Sequence, residues 1–167
     1  MLLFSSKRFL KQRKLTFLKM AIFIIGLTIF LFCVLWLPKL AGDAAVMNPE
    51  FAYLKFPVLI GIYITAIPFY LALYQALRIL NYIKGGEAFS EFPLISLGRI
   101  KNCATAIIIL YVIGMVLLAG QNALHPGIAI LGIVIIFATT VVAVFAVILQ
   151  ELLKSAIDIK IENDLTV

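Results

Sequence analysis

Four long apolar stretches, parted by polar ones, divide the chain and predict membrane-spanning helices. Residues 20–37 are eighteen in number and carry no charge, about enough to cross a ~30 Å hydrocarbon core at ~1.5 Å per residue. A second stretch, 56–80, meets its first charge at Arg78 and is long enough to span with tilt. Stretches 103–119 and 127–149 complete the set. The expected fold is all-α: a polytopic membrane protein of four transmembrane helices in an antiparallel bundle. A cleaved secretory leader fits the first stretch less well, because leader cores run only ~7–15 residues. Trp36 and Pro38 instead read as an interface anchor and a helix end.

The polar stretches predict the connections. Residues 38–55 hold Lys39, Asp43, Glu50 and Lys55 around the turn signal Asn48-Pro49 and read as a loop. Residues 81–102 form the central loop, with Gly85-Gly86 as its turn and the next helix starting near Glu91, Ser90 as N-cap and Pro93 inside the first turn. Residues 120–126 make a short uncharged turn. The tail is ambiguous from Ile157 on. Leu153, Ile157 and Ile161 keep a helical spacing, while 157–162 alternate as a strand would. The expectation is a helix to about Ile161 and then a short extended end. The chain so divides into a basic segment 1–19, a transmembrane domain 20–153 and a tail 154–167.

Composition and charge narrow the partners. With 64% apolar residues and 13% charged ones, the chain cannot dress a soluble surface, so its first partner is the lipid bilayer. A net charge of +6 could suggest nucleic acid, yet twelve of fourteen Lys and Arg lie in the N-terminal segment, the central loop and the tail. Positive charge of that kind orients membrane proteins. It predicts both termini and the central loop in the cytoplasm, residues 38–55 and 120–126 outside, and no direct nucleic-acid binding. Lys7, Arg8, Lys11, Arg13, Lys14 and Lys19, interleaved with Leu3, Phe4, Phe9, Leu10, Leu15 and Phe17, would lie on anionic headgroups.

Within the spans, three features stand out. Pro68 removes a backbone donor and predicts a kink. Tyr63, Tyr70 and Tyr74 share one side of the second span, a polar-tipped stripe suited to packing or to a bundle ligand. Gly132, Thr139, Ala143, Ala146 and Gln150 share a small and polar face of the fourth, the kind that lets membrane helices approach closely.

Chemistry is sparse. His125 has no Cys, Asp or second His close in sequence, so neither a metal set nor a nucleophile and base presents itself. Cys33 and Cys103 belong near opposite membrane faces, beyond disulfide reach. No charge falls in the middle of a span, unlike most ion-coupled carriers. No enzyme activity, cofactor or metal is expected.

The segment NYIKGGEAFSEFPLISLGRIKNC with its Gly86, Phe89 and Ser90 core, the LYQALRIL run before it and the closing VFAVILQELLKSAIDIKIENDLTV resemble the bacterial family catalogued as domain of unknown function 2975. The basic N-terminus departs from the family pattern. The resemblance implies a multi-pass protein of the bacterial cytoplasmic membrane with no catalytic residues to carry over. It also implies a small helix-turn-helix DNA-binding regulator as partner, since such a protein is often the genetic neighbour of family members. Two functions follow as expectations. One is a regulatory docking protein that uses Gly86, Phe89, Ser90 and Phe92 with Asp158, Glu162, Asn163 and Asp164 as a joint cytoplasmic surface. The other is a small transporter or immunity-type protein that binds a hydrophobic compound or peptide in its bundle. Both leave room for a homo-oligomer.

Overall fold

The computed structural model describes residues 2–166, with side chains from Lys11 to Thr166. The side chains of Leu3, Phe4, Lys7, Arg8, Phe9 and Leu10, invoked for headgroup contact, lie outside the described residues, as does Val167. In order, the helices are α1 (Leu2–Leu31), a π-turn (Phe32–Trp36), α2 (Leu37–Met47), a 3₁₀ turn (Pro49–Leu54), α3 (Lys55–Gly85), α4 (Glu91–Gly120) and α5 (Pro126–Leu165). They make four rods, each long and apolar enough to cross a membrane. The described residues contain no strand.

The first rod corrects the expectation that Pro38 ends the helix and opens a loop. Proline has no N–H, and in a regular α-helix its ring would press on the carbonyl four residues back, at Val34. Widening one turn to π geometry makes room. The Leu37 N–H reaches back to the Phe32 carbonyl, and Pro38 then stands in the first turn of α2, where its missing donor costs little. The rod ends ten residues later at Asn48 (φ −131°, ψ 75°). Most of residues 38–55 is therefore helical. Pro68, by contrast, sits inside α3, which runs on through it.

Both remaining connections are tight because a left-handed residue closes each helix before it. At the end of α3, Gly86 has φ 86°, Glu87 N–H donates to Tyr82 O at 2.9 Å and Gly86 N–H to Ile83 O at 3.4 Å. This is a Schellman motif. Asn122 (φ 54°) plays the same part after α4, with Ala123 N–H on Leu118 O and Asn122 N–H on Ala119 O, both 3.0 Å. Thus the expected loop 81–102 shrinks to residues 86–90, its flanks being the last turn of α3 and the first turns of α4.

The fourth rod corrects the tail. α5 continues to Leu165 without an extended end, since lengthening an existing helix adds one hydrogen bond per residue with no new nucleus. Its 40 residues measure roughly 60 Å, more than the ~40–45 Å of a bilayer with its headgroups.

The rods pack in chain order, each on the next. Hydrogen bonds fix the alternation of direction. Lys19 on α1 donates to Asn81 on α3, and Gln150 Nε2 on α5 donates to Leu94 O on α4 at 3.4 Å, so the termini and the Gly86 turn share one end. At the other end Tyr53 donates to Gln121 Oε1 at 2.8 Å. Most buried residues lie along the two seams of α4, with α3 on one and α5 on the other: Leu80, Leu97, Ala104, Ile107 and Ala146 among the apolar ones. No described residue of α1 or α2 is buried, so the first rod is peripheral. Apolar side chains such as Phe137, Leu131 and Val116 point outward, where lipid replaces water as their solvent.

Candidate functional site

The end that carries the termini gathers the candidates read from the sequence. Gly86 sets the left-handed turn that starts the descent into α4. Ser90 occupies the N-cap position in extended backbone, but its hydroxyl donates back to Glu87 O at 2.8 Å instead of accepting from the helix. That bond folds the turn on itself. Phe92 stacks on Tyr82 with centroids 5.5 Å apart and rings 18° from parallel. Arg78 also holds Tyr82, its Nη2 donating to the phenol oxygen at 2.5 Å and its guanidinium 5.6 Å from the ring centroid. Phe92 is nevertheless 53% exposed and Phe89 57%, so two aromatic faces stand open on a rigid support. Pro93 and Ser96 just beyond them are buried, which anchors the support.

Asp158, Glu162, Asn163 and Asp164 lie on the free last turns of α5. Half-buried residues on this helix end at Ile157, and every described residue from Asp158 to Thr166 is exposed. Among the described residues no hydrogen bond joins this segment to residues 86–92. The two groups share an end of the molecule as separate surfaces.

The tyrosine stripe splits. Tyr63 donates to Cys33 O at 2.9 Å and Tyr70 to Gly26 O at 2.7 Å, both across to the first rod. Tyr74 is exposed. Two of the three phenols are therefore engaged by the backbone of the first rod. The small face of α5 meets α4. Gly132 and Ala146 are buried, with Thr139, Ala143 and Gln150 half-buried. A Cβ on Gly132 would come within 2.5 Å of Met115 Sδ. Thr139 satisfies its own hydroxyl on Ile135 O at 2.7 Å.

Of the remaining candidates, His125 is a capping residue. Its Nδ1 accepts the Gly127 N–H at 3.2 Å at the start of α5, a role that the pattern His-Pro-Gly at a helix start could have signalled. The two cysteines are free, and the described residues hold no cluster of three potential metal ligands. Sequence reading overlooked Gln75, 5% exposed, whose Oε1 has no hydrogen-bond partner. A lone amide in an otherwise apolar run was the available signal. It also overlooked the Arg78–Tyr82 pair, legible as neighbours four apart on one helix face.

Comparison with known proteins agrees with this architecture. Residues 39–167 match a family described as "Protein of unknown function (DUF2975)". The chain is 50% identical over 153 residues to the "Uncharacterized membrane protein YoaS" of Bacillus subtilis (strain 168), covering 90% of this chain and 96% of that protein. No solved structure matches it significantly.

Proposed function

The chain belongs to the DUF2975 family of membrane proteins, and on that premise we propose that it is a non-catalytic docking protein that holds a small cytoplasmic helix-turn-helix DNA-binding regulator at the cytoplasmic membrane. The observation that carries this reading is the construction of one end. A helix that outlasts the bilayer presents Asp158, Glu162, Asn163 and Asp164 with every described side chain exposed. Beside it, on the same end, Phe89 and Phe92 are open on a braced turn. Exposed aromatics surrounded by charge match the division of labour at protein interfaces, where aromatics supply affinity and charges set orientation. The excess of Lys and Arg on this end supports a cytoplasmic position for it, and the family resemblance suggests the partner's class.

The test is co-purification from membranes with three chains: wild type, Phe89→Ala, and a truncation after Ile157. A helix-turn-helix protein should accompany the wild type and be lost from both variants while membrane levels stay equal. Its absence from the wild type, or undiminished recovery with either variant, would overturn the reading.

A further inference from the structure

Where α4 and α5 meet, a groove of about 450 Å³ is lined by Leu94, Lys101, Val147, Gln150, Glu151 and Lys154. Its position is set by chemistry on two helices independently. On α4 the last charge before the apolar run is Lys101, and on α5 the first charges after it are Glu151 and Lys154. Both polar boundaries fall in the same groove, so it opens at the level of the headgroups. Lys101 is half-buried beside Val147, and a lysine so placed extends its stem along apolar surface and brings its ammonium up to the polar rim. Gln150 lies over Gly98, where a Cβ would meet its Nε2 at 3.0 Å, so a residue without a side chain lets α5 draw near. Two ammonium groups and one carboxylate leave the groove with one excess positive charge.

We propose that this groove seats the phosphodiester headgroup of an anionic phospholipid from the leaflet on the side of the termini. Lys101 and Lys154 hold the phosphate, the Gln150 amide adds a donor, and Val147 meets the start of an acyl chain. The chemistry recognised is a phosphodiester headgroup with a net negative charge, which the excess positive charge of the groove favours over a zwitterionic headgroup carrying its own ammonium, and the apolar floor selects the lipid over a free phosphate. Basic pockets between helices at this depth suit such headgroups. Glu151 opposes the phosphate and keeps the affinity moderate. The inference does not depend on the docking function.

The test uses the full chain in mild detergent. Native mass spectrometry counts bound lipid during titration with phosphatidylglycerol, phosphatidylcholine or inorganic phosphate. Phosphatidylglycerol should bind the wild type well ahead of phosphatidylcholine. The double variant Lys101→Gln, Lys154→Gln should bind it about 25-fold more weakly, as two surface cations at roughly a factor of five each predict. Glu151→Gln should bind it more tightly, and the control Lys84→Gln, Lys160→Gln should match the wild type. Equal loss in the control would make the effect general surface charge and overturn the proposal. Unchanged affinity in the groove variants, equal binding of phosphatidylcholine, or saturation by inorganic phosphate at the same concentration would each overturn it too. If the double variant does not fold, the Glu151→Gln result decides.

Discussion

The Tyr63 hydroxyl donates to the Cys33 carbonyl at 2.9 Å, and the two residues are joined by the needs of a third. In π geometry the Cys33 carbonyl would look to the N–H five residues on, which is Pro38 and has none. The nearer donor, Leu37 N–H, is turned to Phe32 O. A carbonyl left without a partner in lipid is costly, and the phenol from α3 fills the vacancy.

This relationship predicts coupling between Tyr63 and Pro38. Tyr63→Phe should lower stability in detergent by about 1 kcal/mol, the scale of a membrane hydrogen bond whose acceptor is left bare. In a Pro38→Ala background residue 38 regains an N–H, and the same change should cost less. Thermal unfolding of the four chains of a double-mutant cycle measures it. Equal cost in both backgrounds would show that the Tyr63 hydroxyl does not act through the vacancy made by Pro38.

The proline also explains what sequence could and could not reveal. Four spans were legible because lipid dictates both length and composition. Whether Pro38 stops a helix depends on a donor on another rod, twenty-five residues on in sequence, and no local pattern carries that. The tail was misread for a different reason. Residues 157–162 satisfy both periods, and the deciding influence was the helix already running through Gln150. Of the two glycines expected to form the turn, only Gly86 does, while Gly85 still belongs to α3. Ser90 stands at the N-cap position, yet its hydroxyl bonds Glu87, since a short turn competes for the same group. Asp158 and Phe89 share an end by topology alone. Topology decides which end a residue reaches, and it leaves open whether two surfaces there touch.

Orientation rests on charge, so it has its own test. Reporter fusions after Lys84 and at the C-terminus should give cytoplasmic signals. One placed at Asn48, the break between α2 and the 3₁₀ turn, should report the opposite side. A cytoplasmic signal at Asn48 would reverse the assignment and remove the docking end from the cytoplasm.

Close approach of α4 and α5 predicts a graded response to added bulk. Ala146 is 3% exposed, whereas Ala143 is half-buried. Ala146→Leu should cost about 1–3 kcal/mol, as overpacking does in tight interiors, and Ala143→Leu less. Val144→Leu, on an exposed position, is the neutral control. Equal melting temperatures for all three in detergent would mean that this interface is loose.

Two adjacent glycines should respond in opposite directions. Gly86 has φ 86° with nothing within 4 Å of an added Cβ, so the obstacle to a side chain there is the backbone itself. An alanine must adopt the left-handed region, at a cost of about 1–2 kcal/mol. Gly86→Asn should cost less, because asparagine tolerates that conformation, as Asn122 does at the other turn. Gly85 is the last helical residue of α3 and is equally open. Gly85→Ala should therefore stabilise by about 0.4–1 kcal/mol, since it removes freedom from the unfolded chain without native strain. The same three chains bear on function, because the Gly86 turn aims Phe89 and Phe92. Gly86→Ala should weaken partner recovery and Gly85→Ala should leave it intact. If both alanines lowered stability alike, the Schellman motif would not be what closes α3.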